Sequence, residues 1–144
     1  MNIRKIATEE THFDEPVECK IFDKGQLEVD SQGCPVVFNV VSEYSAARRI
    51  VDQQQKEKLS KLGRRYGSWT AIPQAETDAL ADEKIAACIS GWSGVESDGQ
   101  PFPYSPANAI ALVAALRQYR PKTLQQILGA IDEHAAFFTT ASAS

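Results

Sequence analysis

The sequence predicts an α+β fold, in which a short N-terminal antiparallel β-meander of about three strands packs on about four α-helices. Two patterns lead to this prediction. Residues 17–41 alternate apolar with polar side chains and contain two turn clusters, as short half-buried strands do. Residues 42–139 instead repeat apolar side chains at helical spacing. We therefore expect one domain over residues 17–139, a flexible arm over 1–16 and a frayed end over 140–144.

The meander is expected to consist of three short segments separated by turns. The first strand is predicted at residues 17–21, the second at 27–29 and the third at 36–41, where β-branched residues are frequent. Glycine-containing clusters at residues 24–25 and 31–33 supply the turns. A sheet of this size exposes one face to water and needs helices to cover the other.

The first helix is predicted over residues 42–66, with Ser42 as its N-cap and Gly67 as its C-cap. Its centre, residues 52–58, has almost no apolar side chain. We therefore expect this helix to project from the body or to pack there only weakly. Pairing with a second copy of the chain is one way to cover its sparse apolar stripe, so a homo-oligomer is an open alternative.

Three further helices are predicted at residues 74–90, 105–120 and 122–138. In the helix predicted at 105–120, Ser105 suits the N-cap and Pro106 suits the first helical position. Pro121 disfavours helical backbone in the residue before it and so separates the helix at 105–120 from the helix at 122–138. Residues 91–104 are rich in Gly, Pro and aromatic side chains and are predicted to form a loop.

Composition excludes several classes of protein. The chain of 144 residues has a formal net charge of −4, which opposes binding to duplex DNA by phosphate neutralisation. Its longest apolar run is far shorter than the roughly 18–20 residues that span a bilayer, and its N-terminus lacks the apolar run of a secretory signal. Three widely spaced cysteines favour a reducing compartment. We therefore expect a cytoplasmic protein that binds no membrane.

The sequence contains no pattern that indicates a catalytic centre, a cofactor or a metal site. His12 and His134 are its only histidines and lie outside any nucleophile motif, and we expect His134 at or near the surface. CxxC, HxxxH and EF-hand patterns are absent. The glycines at 91 and 94 lack the Lys-Ser/Thr that follows in a phosphate-binding loop. We therefore predict a protein that is not an enzyme. Cys34 and Cys88 lie in apolar contexts and are expected to be buried.

Two basic pairs, Arg48 with Arg49 and Arg64 with Arg65, lie on the first predicted helix. A basic stripe on a polar helix can contact RNA or an acidic partner. A solvated helix accounts for the same pattern and is favoured by the acidic charge of the whole chain. A small nucleic-acid-binding regulator is therefore the weaker alternative.

The segment from Gly91 to Pro106 is the most informative part of the chain. Its candidate site residues are Trp92, Gly94, Val95, Asp98, Gly99, Phe102, Pro103 and Tyr104. Aromatic side chains in such a segment commonly fill a core between neighbouring elements. A rigid aromatic segment can also present an edge to a partner protein. The two interpretations are compatible, and both stay open at this point.

Residues 89–108 read Ile-Ser-Gly-Trp-Ser-Gly-Val, two residues, Asp-Gly-Gln-Pro-Phe-Pro-Tyr-Ser-Pro, one residue, Asn. This run resembles the signature of the tail assembly chaperones of long-tailed bacteriophages and prophages. Upstream, the run from Val40 to Arg48 resembles the strand, Ser and Arg of that family, and the terminal pair Phe137-Phe138 is similar as well. The resemblance extends over residues 17–138, and its specific part is 89–108.

The resemblance implies a non-catalytic protein that acts before tail assembly and is absent from the finished virion. It implies two partners, the long helical tape measure protein, which such chaperones keep soluble, and the tail tube protein, whose subunits they help to recruit. Some family members also exist in a longer form made by ribosomal frameshifting, and this chain would match the shorter form. A minor structural or head–tail joining protein of a phage is the alternative.

Overall fold

The computed structural model describes residues 12–136 and confirms the α+β class, with antiparallel strands near the N-terminus followed mainly by helices. The strands are β1 (Val17–Lys20), β2 (Phe22–Asp23), β3 (Gln26–Leu27), β4 (Val37–Val40), β5 (Ile89–Ser93), β6 (Glu96–Ser97) and β7 (Gln100–Pro101). The helices are α1 (Ala46–Tyr66), α2 (Gln74–Ala87), α3 (Pro106–Tyr119) and α4 (Pro121–Asp132), with a single 3₁₀ turn at Trp69–Ala71.

The central sheet contains three strands in the order β1-β4-β5, all paired antiparallel. The alternation predicted for β1 is confirmed, because Val17 and Cys19 are buried while the residue after each is exposed. In the same way Phe38 and Val40 are the buried positions of the central strand β4. Helices α2 and α4 contact this sheet, and α3 packs against both of those helices.

The third strand of the central sheet comes from a different place in the chain than we expected. Residues 22–27 form a separate hairpin, β2–β3, and the strand beside β4 is β5. The pattern predicts the end of a helix at residues 89–90 and a loop at 91–93, but α2 ends at Ala87 and these residues extend along β4. Buried Cys88 and Ile89 continue the apolar spacing of α2, so the pattern does not reveal where the helix stops.

The hairpin β2–β3 is held against α4 by one side-chain amide. Its turn passes through Lys24 and Gly25, both at positive φ, as in a type I′ turn. The Phe22 N–H donates to Gln126 Oε1 at 2.9 Å, and Gln126 Nε2 donates to the Phe22 carbonyl at 2.8 Å. Gln126 therefore satisfies strand-edge backbone groups that would otherwise be open to another chain.

Helix α1 contacts α2 through polar side chains rather than projecting from the body, and Gln55 is its one buried residue. Gln55 is only 1% exposed. Its Nε2 donates to the Leu80 carbonyl at 2.8 Å and to Glu83 Oε2 at 3.2 Å. Lys58 Nζ lies 3.4 Å from the same carboxylate oxygen. A polar interface needs few apolar side chains, and hydrophobic periodicity is therefore insensitive to it.

The start of α1 requires a correction. The helix begins at Ala46 rather than after Ser42, because Ser45 is its N-cap and accepts a hydrogen bond from the Arg48 N–H at 3.3 Å. The Asp14 carboxylate accepts a second helix N–H, that of Ala46, at 2.7 Å.

Three other predicted helix boundaries are confirmed, whereas α2 ends at Ala87 rather than at 90 and α4 ends at Asp132 rather than at 138. Gly67 is the C-cap of α1, with φ of 82° in the left-handed region. The Ser105 hydroxyl accepts from the Asn108 N–H at 3.0 Å, with Pro106 at the first position of α3. Pro121 begins α4 immediately after the break at Arg120.

The core lies between the central sheet and helices α2, α3 and α4. Its buried residues are Val17, Cys19, Ile21, Val36, Phe38, Val40, Val41, Ile85, Ala86, Cys88, Ile89, Ala109, Val113, Leu116, Leu124, Ile127 and Ile131. Partly buried Trp92, Val95, Leu112, Leu128 and Ala130 pack against this cluster.

Residues 12–16, the described end of the predicted arm, contact the body. The Phe13 ring centroid lies 5.5 Å from that of Tyr44, and the Phe13 carbonyl accepts from the Ser42 N–H at 3.1 Å. The remainder of the arm, residues 1–11, and the predicted frayed end lie outside the described residues.

His134 is 1% exposed, so its expected position at or near the surface is wrong. Its Nε2 forms a hydrogen bond with the Glu15 carbonyl, which joins the end of the arm to the last helical turn. The position three residues after buried Ile131 is the signal in the sequence that places it on the inner face.

No helix within residues 12–136 has both the length and the apolar character needed to cross a bilayer.

Replacing Ser45 by Ala is expected to lower the free energy of unfolding by about 1 kcal/mol, because the first turn of α1 loses a side-chain acceptor. Ser60→Ala, at an exposed interior position of the same helix, is the matched control and should change stability by no more than about 0.5 kcal/mol. Urea denaturation measures both. Equal effects of the two substitutions would contradict the assignment of Ser45 as the cap.

Candidate functional site

The candidate segment starts in β5, where Trp92 lies directly across from Phe38 in the sheet register. The two ring centroids are 6.0 Å apart in an edge-on arrangement. Phe102 stacks on Trp92 with centroids 5.8 Å apart, and Tyr104 meets the indole edge-on at 5.2 Å. The four rings form one aromatic cluster that continues the core towards the surface.

Hydrogen bonds fold the segment back on itself around this cluster. Trp92 Nε1 donates to the Phe102 carbonyl at 2.7 Å. The Phe102 N–H donates to the Val95 carbonyl at 2.9 Å, and the Tyr104 hydroxyl donates to the Ile89 carbonyl at 3.0 Å. The indole N–H of Trp92 and the hydroxyl of Tyr104 therefore both have hydrogen-bond partners, while the faces of the two rings pack against other rings. Together these contacts fix the orientation of each ring.

Between the aromatic residues the chain forms the hairpin β6–β7, where a loop is predicted. Asp98 and Gly99 make its turn, with φ of 52° and 78°, the positive values that a type I′ turn requires. The Glu96 carboxylate accepts hydrogen bonds from the Ser31 N–H at 2.6 Å and the Ser31 hydroxyl at 2.7 Å. The hairpin is thus anchored to the turn that precedes β4, while its tip is exposed.

Gly94 permits the closest backbone approach in the segment. Its φ is 77°, and a Cβ at this position would stand 2.5 Å from the Pro35 carbonyl oxygen and 2.9 Å from Val36 Cα. Real Cβ atoms do not approach backbone this closely, so a side chain would force the turn away from the start of β4. The glycine is therefore required by space as well as by conformation.

The end of the segment, residues 103–106, leads into the first turn of α3 and is hydrogen-bonded to it. Asn108 Nδ2 donates to the Pro103 carbonyl at 2.9 Å, next to the Ser105 cap. Pro103 itself is exposed, and Tyr104 is 39% exposed. These contacts fix the position of α3 relative to the aromatic cluster.

The structure brings four of the eight candidate residues together, namely Trp92, Val95, Phe102 and Tyr104. Gly94 lies at the contact with Pro35, while Asp98, Gly99 and Pro103 are exposed at the hairpin tip and the following turn. The core-filling role is visible for the Trp92 indole, and contact with a partner by the exposed members stays a prediction.

The basic pairs of α1 have two different environments. Arg48 is partly buried, with Nε 3.1 Å from Asp52 and a guanidinium nitrogen 3.7 Å from Cys88 Sγ. Arg49, Arg64 and Arg65 are exposed. Helical periodicity explains the difference, because Arg48 and Gln55 are seven residues apart and lie on the same side of α1, the side that faces α2.

The cysteines differ from expectation at one position. Cys88 is buried as predicted, but Cys34 is exposed. Burial raises the pKa of the Cys88 thiol, and the nearby Arg48 guanidinium opposes this only in part. Burial also raises the pKa of the Cys19 thiol. Both buried thiols are thereby kept protonated and weakly nucleophilic near neutral pH.

The structural roles of two polar residues are not predicted from the sequence. Gln55 at the α1–α2 interface and Gln126 at the strand edge are uncharged, long and unremarkable in pattern. For Gln55 the signal is its helical spacing from Val51 and Leu62, which are apolar residues of α1. No local signal identifies Gln126.

Among residues 12–136, no group of three or more His, Cys, Asp or Glu side chains has the arrangement of a metal site. No family model, curated protein or solved structure matches the chain.

Gly94→Ala is expected to lower the free energy of unfolding by about 2–4 kcal/mol, from the left-handed backbone and the overlap with Pro35 together. Gly99→Ala is the matched control, because φ is 78° there and nothing lies within 4 Å of its Cβ. The control should lose only about 1–2 kcal/mol. Chemical denaturation compares the two, and equal losses would show that the Pro35 contact carries no weight.

Trp92→Ala is expected to cost about 3–5 kcal/mol of stability, because it removes the centre of the aromatic cluster. Trp69→Ala, at a side chain that is 61% exposed, should stay within about 0.5 kcal/mol of the parent protein. Thermal and urea unfolding measure both variants. Unchanged stability of Trp92→Ala together with lost partner binding would instead assign Trp92 to a contact site.

Proposed function

We propose that the protein is a tail assembly chaperone of a long-tailed phage or prophage. In this role it binds the tape measure protein and helps to recruit tail tube subunits in the host cytoplasm, without catalysing a reaction. The observation that carries the proposal is the segment 89–108, whose sequence resembles the signature of that family.

The geometry of this segment supports the use of the resemblance. Trp92 fills the aromatic cluster, Gly94 allows the approach to Pro35, and Asp98-Gly99 forms the type I′ turn. Ser105 then caps α3. Each of these residues has a separate geometric task in one compact unit, so the run is consistent with one local structure.

The outer face of α3 is the surface best suited to an apolar client. Its exposed positions are Pro106, Ala107, Ile110, Ala111, Ala114, Ala115, Gln118 and Tyr119. None of these side chains is charged, although the face is long and in contact with water. Small side chains beside Ile110 and Tyr119 allow an amphipathic helix to lie close to α3 and bury its apolar face there.

Co-expression with the tape measure protein encoded beside it is expected to keep that client soluble and to yield a complex on size-exclusion chromatography. The double substitution Ile110→Glu with Ala114→Glu should weaken the complex at least about tenfold, because carboxylates would be buried in an apolar contact. Gln54→Glu with Gln125→Glu adds the same charge at exposed positions of α1 and α4 and should leave the complex intact.

Two results would contradict the proposal. One is a client that stays insoluble, with no complex, in the presence of the parent protein. The other is detection of the protein by mass spectrometry in purified virions, which would favour a structural part of the tail or of the head–tail junction.

A further inference from the structure

Positive charge is concentrated in one helix of this acidic protein. Helix α1 holds seven of the 15 Lys and Arg residues of the chain and two of its 19 Asp and Glu residues. The remainder of the chain is strongly acidic. A net charge of −4 for the whole chain therefore conceals a basic helix beside an acidic body.

Part of this charge forms a basic stripe, defined here as Arg49, Lys56 and Arg64. All three side chains are exposed, on a side of α1 away from Gln55. Residues 49 and 56 are seven apart, which places them about 10.5 Å apart along the helix on nearly the same side. On this side, Gln53 lies between Arg49 and Lys56, and Ser60 lies between Lys56 and Arg64. Glu57, seven residues before Arg64, borders the stripe and is paired with Lys61 at 3.4 Å.

The cations of the basic stripe have no carboxylate partner within residues 12–136, in contrast to three other cations of α1. Arg48 is paired with Asp52, Lys58 with Glu83 and Lys61 with Glu57. Arg49, Lys56 and Arg64 form no salt bridge within residues 12–136. Arg65 has no salt bridge in this range either, and its guanidinium carbon lies 5.5 Å from the centroid of the Tyr66 ring.

An exposed tryptophan ends the stripe. Trp69 follows α1, and its indole lies against Gly63, where a Cβ would stand 3.7 Å from three ring carbons. Gly63 is seven residues after Lys56 and on the same side of the helix. Trp69 is 61% exposed. A large apolar ring in water beside unpaired cations has the composition of a binding hot spot, where Trp and Arg are enriched.

We propose that the basic stripe and Trp69 together bind an acidic α-helical segment of a partner polypeptide. Carboxylates spaced by seven residues on that segment would face Arg49 and Lys56, and an apolar side chain would cover the indole. The heptad spacing favours a helix, since a partner helix repeats its side chains at the same rise. This inference goes beyond the proposed function and holds for an acidic helix from any partner.

The same charges disfavour two other occupants. In a twofold pairing of two copies through α1, one basic stripe would face another. A duplex carries one phosphate per about 3.4 Å of helix axis on each strand, a far denser charge than cations about 10.5 Å apart. The acidic body would also repel it.

The test uses an Ala-rich helical peptide, three heptads long, with one Glu per heptad on one side and a terminal Leu, labelled with fluorescein. Its helicity is verified by circular dichroism, and fluorescence anisotropy measures binding to the full chain at low salt. We expect saturable binding that weakens as salt is added. The substitutions Arg49→Glu, Lys56→Glu and Arg64→Glu together should weaken it at least about tenfold.

Two further variants separate the stripe from general charge effects. Lys20→Glu, Lys24→Glu and Lys122→Glu together change the net charge equally at exposed positions outside α1 and should leave affinity within about threefold. Trp69→Ala should weaken binding at least about tenfold without lowering the melting temperature, so the test does not depend on the folding of the triple variant.

The proposal is overturned by absence of peptide binding, or by equal losses in the two triple variants. It is also overturned if a peptide of the same composition with scrambled Glu positions binds as tightly as the heptad peptide. Tighter binding of a single-stranded oligothymidylate than of the heptad peptide would assign the stripe to nucleic acid instead. None of these results bears on the solubility of the tape measure protein, so the proposed function is tested separately.

Discussion

The structure depends on the pairing of β4 with strands from two distant parts of the chain. β4 needs a neighbour on each edge, and it receives β1 from the same N-terminal region and β5 from beyond α2. Phe38 on β4 and Trp92 on β5 are cross-strand partners, so a single pair of rings joins the sheet to the aromatic cluster. The turn at Gly94 then rests on the backbone just before β4. The N-terminal strands and the candidate segment therefore pack as one unit, from which α3 begins.

Two helices of the protein present surfaces of different chemistry. The outer face of α3 is apolar and uncharged, because the inner face of that helix supplies buried Ala109, Val113 and Leu116 to the core and leaves alanines outside. Helix α1 is polar because it contacts α2 through Gln55 and ion pairs, and its outer side is free to carry charge. The two proposals therefore place apolar and electrostatic recognition on different helices, and substitutions at such separate sites are expected to act independently.

Sequence reasoning reaches the α+β class, the buried alternation of β1 and the caps at Gly67 and Ser105, because each of these depends on local chemistry. It fails at residues 89–93, where the choice between helix and strand is made by the open edge of β4, a partner some 50 residues away along the chain. It also fails at Gln55, since a buried amide is invisible to hydrophobic periodicity. In the candidate segment the turn at Asp98-Gly99 is readable from the sequence, whereas the steric need for Gly94 appears only once Pro35 is placed beside it.

Strand β5 is translated well after β4, and this order has a consequence for folding on the ribosome. When Val40 has been translated, β4 has its first neighbour, but its second is encoded up to Ser93. At about 5–20 residues per second, the nascent chain waits roughly 3–10 seconds before that edge can close. During this interval Phe38 and Val40 have their partners on β1 but lack those on β5 and the helices that later cover them. The residues of α1 are translated in the same interval, and they are mainly polar and charged. The open edge of β4 is thus followed along the chain by hydrophilic residues, of the kind that limit aggregation.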